Sequence, residues 1–360
     1  MKILALEPYY GGSHKAFIDA CSTHSEHQWD IIHAPPNKWK WRMHHCPITF
    51  ANEINHRIEQ GASWDRLFCS DMLDLPTLLG FCPVIASLPS VVYFHENQLS
   101  YPIRDGEKRD LNYGFMNMKT ALCAGQVWFN SDYHRKEFLR AIDKSLKLMP
   151  DKKLCGTRDA IEKKSHIVPQ GIDSFNVKKR DANTVHHILW AARWEYDKNP
   201  ALFFDALSKL SSDFKLSVIG ESFRNSPPVF KEAEERFKDK IIHWGYQESR
   251  EQYLQVLHEA DIVVSTADHE FFGISVIEAL HAGCFPVVPE ALAYPEVIDI
   301  KNNPNYFYDG SLEDLSAKLE ALLRKQNEFS HEQRLLRNQV SAKYSWEALG
   351  PVIDGKLNEN

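Results

Sequence analysis

Two carboxylates and two cations stand out by their type and spacing. Glu270 and Glu278 bracket the run Glu270-Phe271-Phe272-Gly273-Ile274-Ser275-Val276-Ile277-Glu278. Gly273 permits a close backbone approach where a helical pattern begins, so Phe272, Gly273 and Ile274 can offer unpaired N–H groups to a nucleotide. Glu278, about two helical turns further on, can accept both hydroxyls of a ribose, as acidic residues do in dinucleotide sites. Glu270 can orient sugar hydroxyls at the reacting end. Glutamates abound on surface helices, and the specificity here lies in the setting of strand, Phe-Phe-Gly loop and apolar helix. Arg193 and Lys198 lie within Leu189-Trp190-Ala191-Ala192-Arg193-Trp194-Glu195-Tyr196-Asp197-Lys198-Asn199-Pro200. Together they can clamp a diphosphate, Arg by its planar fork and Lys as a point charge. Stabilising charge on a leaving diphosphate is transition-state stabilisation, and losing one such donor costs on the order of a hundredfold in rate. The bland alternative is a helix-entry turn with solvated charges. Near the start, Glu7-Pro8-Tyr9-Tyr10-Gly11-Gly12-Ser13-His14 joins a strand to a helix. Gly11, Gly12 and Ser13 are candidates for the same anion, although a plain turn explains the two glycines equally well.

The elements that must position these residues follow a regular rhythm. Short apolar runs at 2–6, 29–32, 66–69, 91–94, 127–129 and 166–168 read as strands, with a second series at 187–191, 216–219, 241–243, 262–265 and 285–288. Helical patterns fit between them, for example at 110–123, 200–210, 251–259 and 274–282. Such alternation predicts βαβ units and parallel sheets covered by helices, hence an α/β protein. The charged stretch 175–184 is the expected linker, giving a first domain at 1–178 and a second at 179–343. The segment 344–360, with Trp346 and Leu349 at helical spacing, is expected to return to the first domain. In open α/β sheets ligands bind beyond the carboxyl ends of strands, where Glu270, Arg193, Lys198 and the Gly11-Gly12 turn fall.

Composition narrows the remaining classes. With 360 residues, 43% hydrophobic and 25% charged, the chain suits two soluble domains, each with its own core. Residues 1–180 hold 24 Lys and Arg against 20 Asp and Glu, and the remainder 18 against 29. The first-half excess permits an anionic partner, but a solvated mixed surface accounts for it. The start does not read as a signal peptide and no apolar run reaches the ~18 residues of a membrane span. The seven cysteines are scattered without a C-x-x-C pair, which favours reduced thiols, a cytoplasmic setting and no structural zinc. No H-E-x-x-H or D-x-D is present, and with Arg193 and Lys198 supplying charge the expected chemistry needs no metal and no cofactor.

Residues 270–278, taken with Arg193 and Lys198, resemble the paired-glutamate and diphosphate-binding motifs of retaining glycosyltransferases of family 4, which have the GT-B fold. Val168-Pro169-Gln170-Gly171-Ile172-Asp173 and the Gly220-Glu221-Ser222 turn resemble further motifs of that family in the same order. The resemblance implies two facing Rossmann-like domains with parallel sheets, a cleft between them, and a nucleotide-sugar donor. In the first half, Glu7–Lys15, Pro36–Arg42, Ser70–Asp74 and Tyr93–Leu99 resemble the tRNA-queuosine mannosyltransferase family. That resemblance implies transfer of mannose from GDP-mannose to queuosine in a tRNA anticodon loop. It further implies that His95, just after a strand, contacts the transferred sugar, with Arg193, Lys198 and Glu270 completing the reacting centre. Gly220 joins the nucleotide side. In retaining enzymes of this type the acceptor attacks from the leaving-group face and a phosphate oxygen takes its proton.

On the acceptor side, Lys38-Trp39-Lys40-Trp41-Arg42 with His44 and His45 lies in a stretch without clear strand or helix periodicity. Trp rings interleaved with cations suit an unpaired RNA loop, the rings stacking on bases and the cations meeting phosphates. The competing reading folds the tryptophans inward as core anchors. His14, Asn97 and Arg104 are placed on the acceptor side as well, the last in a basic loop with Lys108 and Arg109. Two other functions remain open: transfer to a small-molecule or lipid-linked acceptor, hinted at by the Lys- and Leu-bearing stretch 143–153, and an RNA-binding scaffold without turnover.

Overall fold

The computed structural model describes residues 1–359 apart from 104, 105, 107, 176–184, 224, 225, 302 and 326–329. Arg104 and nearly all of the expected linker 175–184 therefore lie outside the described residues. Two compact units form, Met1–Gly171 with Trp346–Asn360, and Ile172–Ser345.

The first unit holds β1 (Lys2–Glu7), β2 (Gln28–His33), β3 (Arg66–Ser70), β4 (Ser90–Phe94), β5 (Gln126–Phe129) and β6 (Ser165–Ile167). They pair in parallel in the order β2-β1-β3-β4-β5-β6. β3, β4 and β5 are buried along their whole length, which is why they read as unbroken apolar runs. Period-two alternation sends Leu4, Leu6, Leu67, Cys69, Val92, Phe94 and Phe129 to one core. Ile3, Ala5, Phe68, Val91, Tyr93 and Trp128 face the other. The helix Trp346–Asn358 closes this second core with Trp346, Leu349, Ile353 and Leu357, a one-sided stripe at helical spacing.

The second unit holds β7 (His187–Ala191), β8 (Lys215–Ile219), β9 (Ile241–Gly245), β10 (Ile262–Val264), β11 (Phe285–Pro289) and β12 (Phe307–Tyr308). These strands are also parallel, in the order β12-β11-β10-β7-β8-β9. Each sheet changes winding direction beside its first strand, between β1 and β3 and between β10 and β7. Connections leave to opposite sides there and open a crevice at the carboxyl ends, the usual ligand position in such sheets.

Two sequence expectations need correction. Residues 38–45 are not irregular: the helix Trp39–Glu59 begins at Trp39. Its buried positions start only at Met43 and continue at Cys46, Phe50 and Ile54, so the first turn, with Trp and cations alternating, shows no helical period. Pro47 inside the helix adds a misleading break. β12 was not expected, because two residues are too few to show any alternation.

Candidate active site

In the second unit, the candidate residues gather beyond the carboxyl ends of β7 and β10. Lys198 is buried in the turn that follows β7. Its Nζ donates to the His269 carbonyl at 2.7 Å and to Glu270 Oε2 at 3.3 Å, and Asp197 Oδ2 is also 3.3 Å away. Burial alone would raise the Glu270 pKa, but the Lys198 charge and the Phe272 N–H (3.3 Å from Oε1) hold it below the usual glutamate range. His269 is pushed down to about 4 by burial and by the Lys198 charge, so its ring is neutral near pH 7. Arg193 is more solvated; its Nη1 meets Glu195 Oε2 at 3.1 Å. Lys198, Glu270, Ser275 and Tyr294 share the lining of a cavity of ≈ 10 Å³, the space of about one water.

The turn after Glu270 shows why glycine stands at 273. Its φ is +86°, and a Cβ there would meet the Tyr294 ring at 2.8 Å. Gly273 caps the helix Ile274–His281, whose first N–H groups point to the carboxyl end of the sheet. Phe272 turns its ring into the interior against Tyr344, and its N–H is taken by Glu270 Oε1. Ile274 is half-buried in the first turn. Gly220 follows β8 with φ +151°, and a Cβ would lie 1.8 Å from the Ala192 carbonyl oxygen. Close backbone packing therefore requires this glycine whether or not a nucleotide is bound.

Glu278 is buried and already partnered. Its Oε1 pairs with Arg250 Nη2 and its Oε2 accepts the Tyr253 hydroxyl at 2.7 Å. Arg250 also approaches Asp173 at 3.7 Å. Sequence reasoning missed both partners. They stand three residues apart on the helix Arg250–Glu259, and nothing local distinguishes them from an ordinary polar helix face.

In the first unit, Glu7, His14, Asp71, His95 and Gln170 converge where the sheet changes direction. Glu7 ends β1; its Oε1 accepts from the Tyr9 N–H at 2.8 Å and the Ser70 hydroxyl at 3.0 Å. Its Oε2 lies 3.3 Å from His14 Nδ1. His14 stacks on His95 at 4.0 Å between ring centroids and 29° between planes. The His95 N–H donates to Asp71 Oδ1 at 2.9 Å, and Gln170 Nε2 donates to His95 Nδ1 at 2.9 Å. Burial lowers the His14 pKa, but Glu7, with Asp71 and Glu96 behind it, more than reverses this and pushes it up to about 9. Burial takes His95 well below the usual histidine range, helped by the His14 charge. Burial also pushes the Asp71 carboxyl up to about 8, against the pull of His14. Glu7 and Asp71 were not among the sequence candidates, although a charged residue closing an apolar strand is a signal for them.

The donor atoms of Glu7, His14 and His95 come within 4.8 Å of one another. A shared metal ion would have to lie in both ring planes about 2.0–2.1 Å from each nitrogen, and rings stacked nearly face to face do not allow that.

The remaining candidates divide. Gly11 packs so that a Cβ would fall 2.4 Å from the Pro36 ring, whereas Gly12, at φ +52°, and Ser13 are exposed. Asn97 is fully buried at 0% exposure. Its Oδ1 takes the Leu99 and Ser100 N–H groups and its Nδ2 donates to Ser100 Oγ, so it shapes a loop and has no surface to offer an acceptor. Arg109 is likewise spent on the Gln98 and Tyr101 carbonyls. Trp39 turns in against Tyr113 at 4.9 Å beside Met43 and Met116, while Trp41 stands 60% exposed. Lys40 sits over the Trp39 ring at 5.5 Å and Lys38 is exposed at the helix start. Arg42 is braced by the Pro35 carbonyl (3.1 Å), Asn37 Oδ1 (2.8 Å) and His45 Nε2 (2.8 Å).

Comparison with known proteins agrees with this architecture. Residues 2–172 match the family model described as tRNA-queuosine alpha-mannosyltransferase N-terminal, and residues 173–339 match glycosyl transferases group 1. The chain is 38% identical over 316 residues to a Drosophila melanogaster protein named tRNA-queuosine alpha-mannosyltransferase, covering 83% of this chain and 82% of that one. It is 23% identical over 195 residues to the GDP-mannose:cellobiosyl-diphosphopolyprenol alpha-mannosyltransferase of Xanthomonas oryzae pv. oryzae, covering 52% and 51% of the two chains. Among solved structures, sucrose-phosphate synthase from Thermosynechococcus elongatus superposes with a TM-score of 0.75 at 13% identity over 99% of this chain and 98% of that one. Anabaena HepE in complex with UDP and glucose gives 0.70 at 14% identity, over 99% of each. No described helix is long and apolar enough to cross a membrane. With a GT-B fold and a group 1 glycosyltransferase domain, the chain is a glycosyltransferase and belongs to the tRNA-queuosine alpha-mannosyltransferase family.

Proposed function

We propose that the protein transfers mannose from GDP-mannose, with retention at the sugar carbon, onto queuosine in a tRNA anticodon loop. The observation that carries the transfer chemistry is Lys198, buried between Glu270 and Asp197 at the carboxyl edge of the second sheet. Its ammonium can turn to a β-phosphate oxygen as the sugar–phosphate bond breaks, and Arg193 adds a second charge from the solvated side. The queuosine hydroxyl attacks the sugar carbon from the leaving-group face. Its proton passes to the departing phosphate oxygen, giving GDP and the mannosylated base. Glu278 holds the ribose, oriented by Arg250 and Tyr253, and the backbone after Gly273 meets the phosphates. The GDP-mannose named for the Xanthomonas relative supports that choice of donor.

Two fixed cations make a divalent ion unnecessary on this reading. Turnover should be unchanged by EDTA, measured as GDP released from GDP-mannose in the presence of queuosine-containing tRNA. Abolition by the chelator with rescue by magnesium or manganese would refute the metal-free reading. Under the same assay a UDP-sugar panel should give little release; a UDP-sugar outpacing GDP-mannose would overturn the donor assignment.

For the acceptor, the exposed Trp41 between Lys40 and Arg42 favours RNA over a lipid-linked sugar. Stacking of one base on an aromatic ring is worth ~1–3 kcal/mol, so Trp41→Ala should weaken tRNA binding by roughly 5- to 150-fold. Nucleotide binding and the melting temperature should change little, because the ring carries no core contact. An unaltered tRNA Kd would remove Trp41 from the acceptor site.

A further inference from the structure

The buried cluster at the change of direction in the first sheet has more order than a sugar contact at His95 requires. Each histidine is held through its Nδ1, His14 by Glu7 and His95 by Gln170. The Nε2 atoms of both rings have no partner among the described residues, yet neither is a buried orphan, so both open outward. Gln170 donates to His95 Nδ1, which places the proton of the neutral ring on Nε2. His14 Nδ1–H is taken by the Glu7 carboxylate, and its Nε2 is likewise a donor when the ring is charged. The two rings stack at 4.0 Å between centroids and 29° between planes, so both donors belong to one face-to-face pair.

We propose that Glu7 is a positioning residue: by holding His14 Nδ1 it fixes that ring against His95, so that the paired Nε2–H groups donate to adjacent hydroxyls of a bound polyol. The inference rests on the transfer reaction proposed above and deepens its sugar- and acceptor-binding side. A polyol suits the site better than an anion does. The His14 charge is already balanced by Glu7, and the other groups facing it are Asp71 after β3, Glu96 and neutral His95 after β4, and the Tyr9 ring edge. None of these is an uncompensated cation. Vicinal hydroxyls are present both on the transferred hexose and on the modified base, and the two sources separate kinetically.

The sign of the pH dependence follows from the pair. His14, raised to about 9, stays charged through neutrality and loses its proton only above that pH. Wild-type kcat/KM should therefore fall through an alkaline limb near 9 that belongs to His14, above any change that Asp71 makes near 8. Glu7→Gln removes the charge that holds the proton, so the limb should move to about 6.5 or below, the ordinary histidine range. At about pH 8 the variant should be roughly thirtyfold slower than wild type and should regain activity toward about pH 6. A merely structural glutamate would lower the rate evenly at all pH values, and that result in a folded Glu7→Gln protein overturns the proposal. Should Glu7→Gln fail to fold, His14→Gln decides: loss of the alkaline limb supports the pair, and its persistence overturns it. A rise in KM for GDP-mannose alone identifies the hexose as the polyol, and a rise for tRNA alone identifies the modified base. No change in either KM overturns the contact. NMR titration of the His14 ring in the free protein reads the same inference without turnover, a midpoint near 9 supporting it and one below 7 refuting it. Absence of any hexose transfer by wild type would instead strike at the proposed reaction and leave this titration intact.

Discussion

Lys198→Ala is expected to lower turnover by about a hundred- to a thousandfold, the loss typical of one well-placed donor to developing charge. The side chain is buried against Glu270, Asp197 and the His269 carbonyl, so its ammonium is held in place before any ligand arrives. Its removal has a second consequence. Glu270 is held below the usual glutamate range against the effect of burial, with Lys198 the largest lowering influence, so the variant should raise the Glu270 pKa. The activity that remains should therefore carry an acid limb displaced upward from that of wild type. Lys198→Arg should restore charge but not position, leaving most of the loss in place. The measurement is single-turnover transfer at saturating GDP-mannose, which separates the chemical step from binding. A variant that retains more than about a third of the wild-type single-turnover rate contradicts the role.

Glu278→Ala should act on binding instead. The carboxylate that would hold the ribose is oriented on one side by Arg250 and on the other by the Tyr253 hydroxyl. Truncation removes the ribose acceptor and strips two buried groups of their shared partner. A hydrogen bond to a charged group is worth about 1.5–3 kcal/mol, so losing the ribose contact should raise the Kd for GDP by roughly ten- to 150-fold. Calorimetric titration with GDP checks this. Thermal stability should fall as well, since Arg250 keeps the longer contact to Asp173 at 3.7 Å and its place over the Tyr253 ring at 5.1 Å but loses its closest carboxylate. An affinity for GDP within twofold of wild type would show that Glu278 serves the fold and not the nucleotide.

The two predictions also mark where sequence reasoning reached and where it stopped. Lys198 and Glu270 were legible because each lies just beyond an apolar strand, and the chain rule for parallel sheets puts both at the carboxyl edge. The partners of Glu278 were not, because Arg250 and Tyr253 come from a helix 28 and 25 residues away and meet it only through packing. Trp39 and Trp41 show a different limit. Two residues apart on a helix, they point about 200° from each other, so one must turn toward the core when the other faces solvent. The sequence reading took the segment as irregular and treated the pair alike; the helix Trp39–Glu59 separates them. Glu7 was overlooked for the opposite reason. It stands in plain view at the end of β1, but its partners His14 and Ser70 come from different segments and only the sheet order brings them together. Gly220 carried a nucleotide reading that packing against the Ala192 carbonyl explains on its own.

The central claim, hexose transfer to queuosine, is tested most directly by the intact mass of tRNA incubated with the purified protein and GDP-mannose. Queuosine-containing tRNA should gain the mass of one hexose, and the same tRNA with unmodified guanine at that position should gain nothing. A hexose added equally to both, or no mass gain on either while GDP is released, would contradict it.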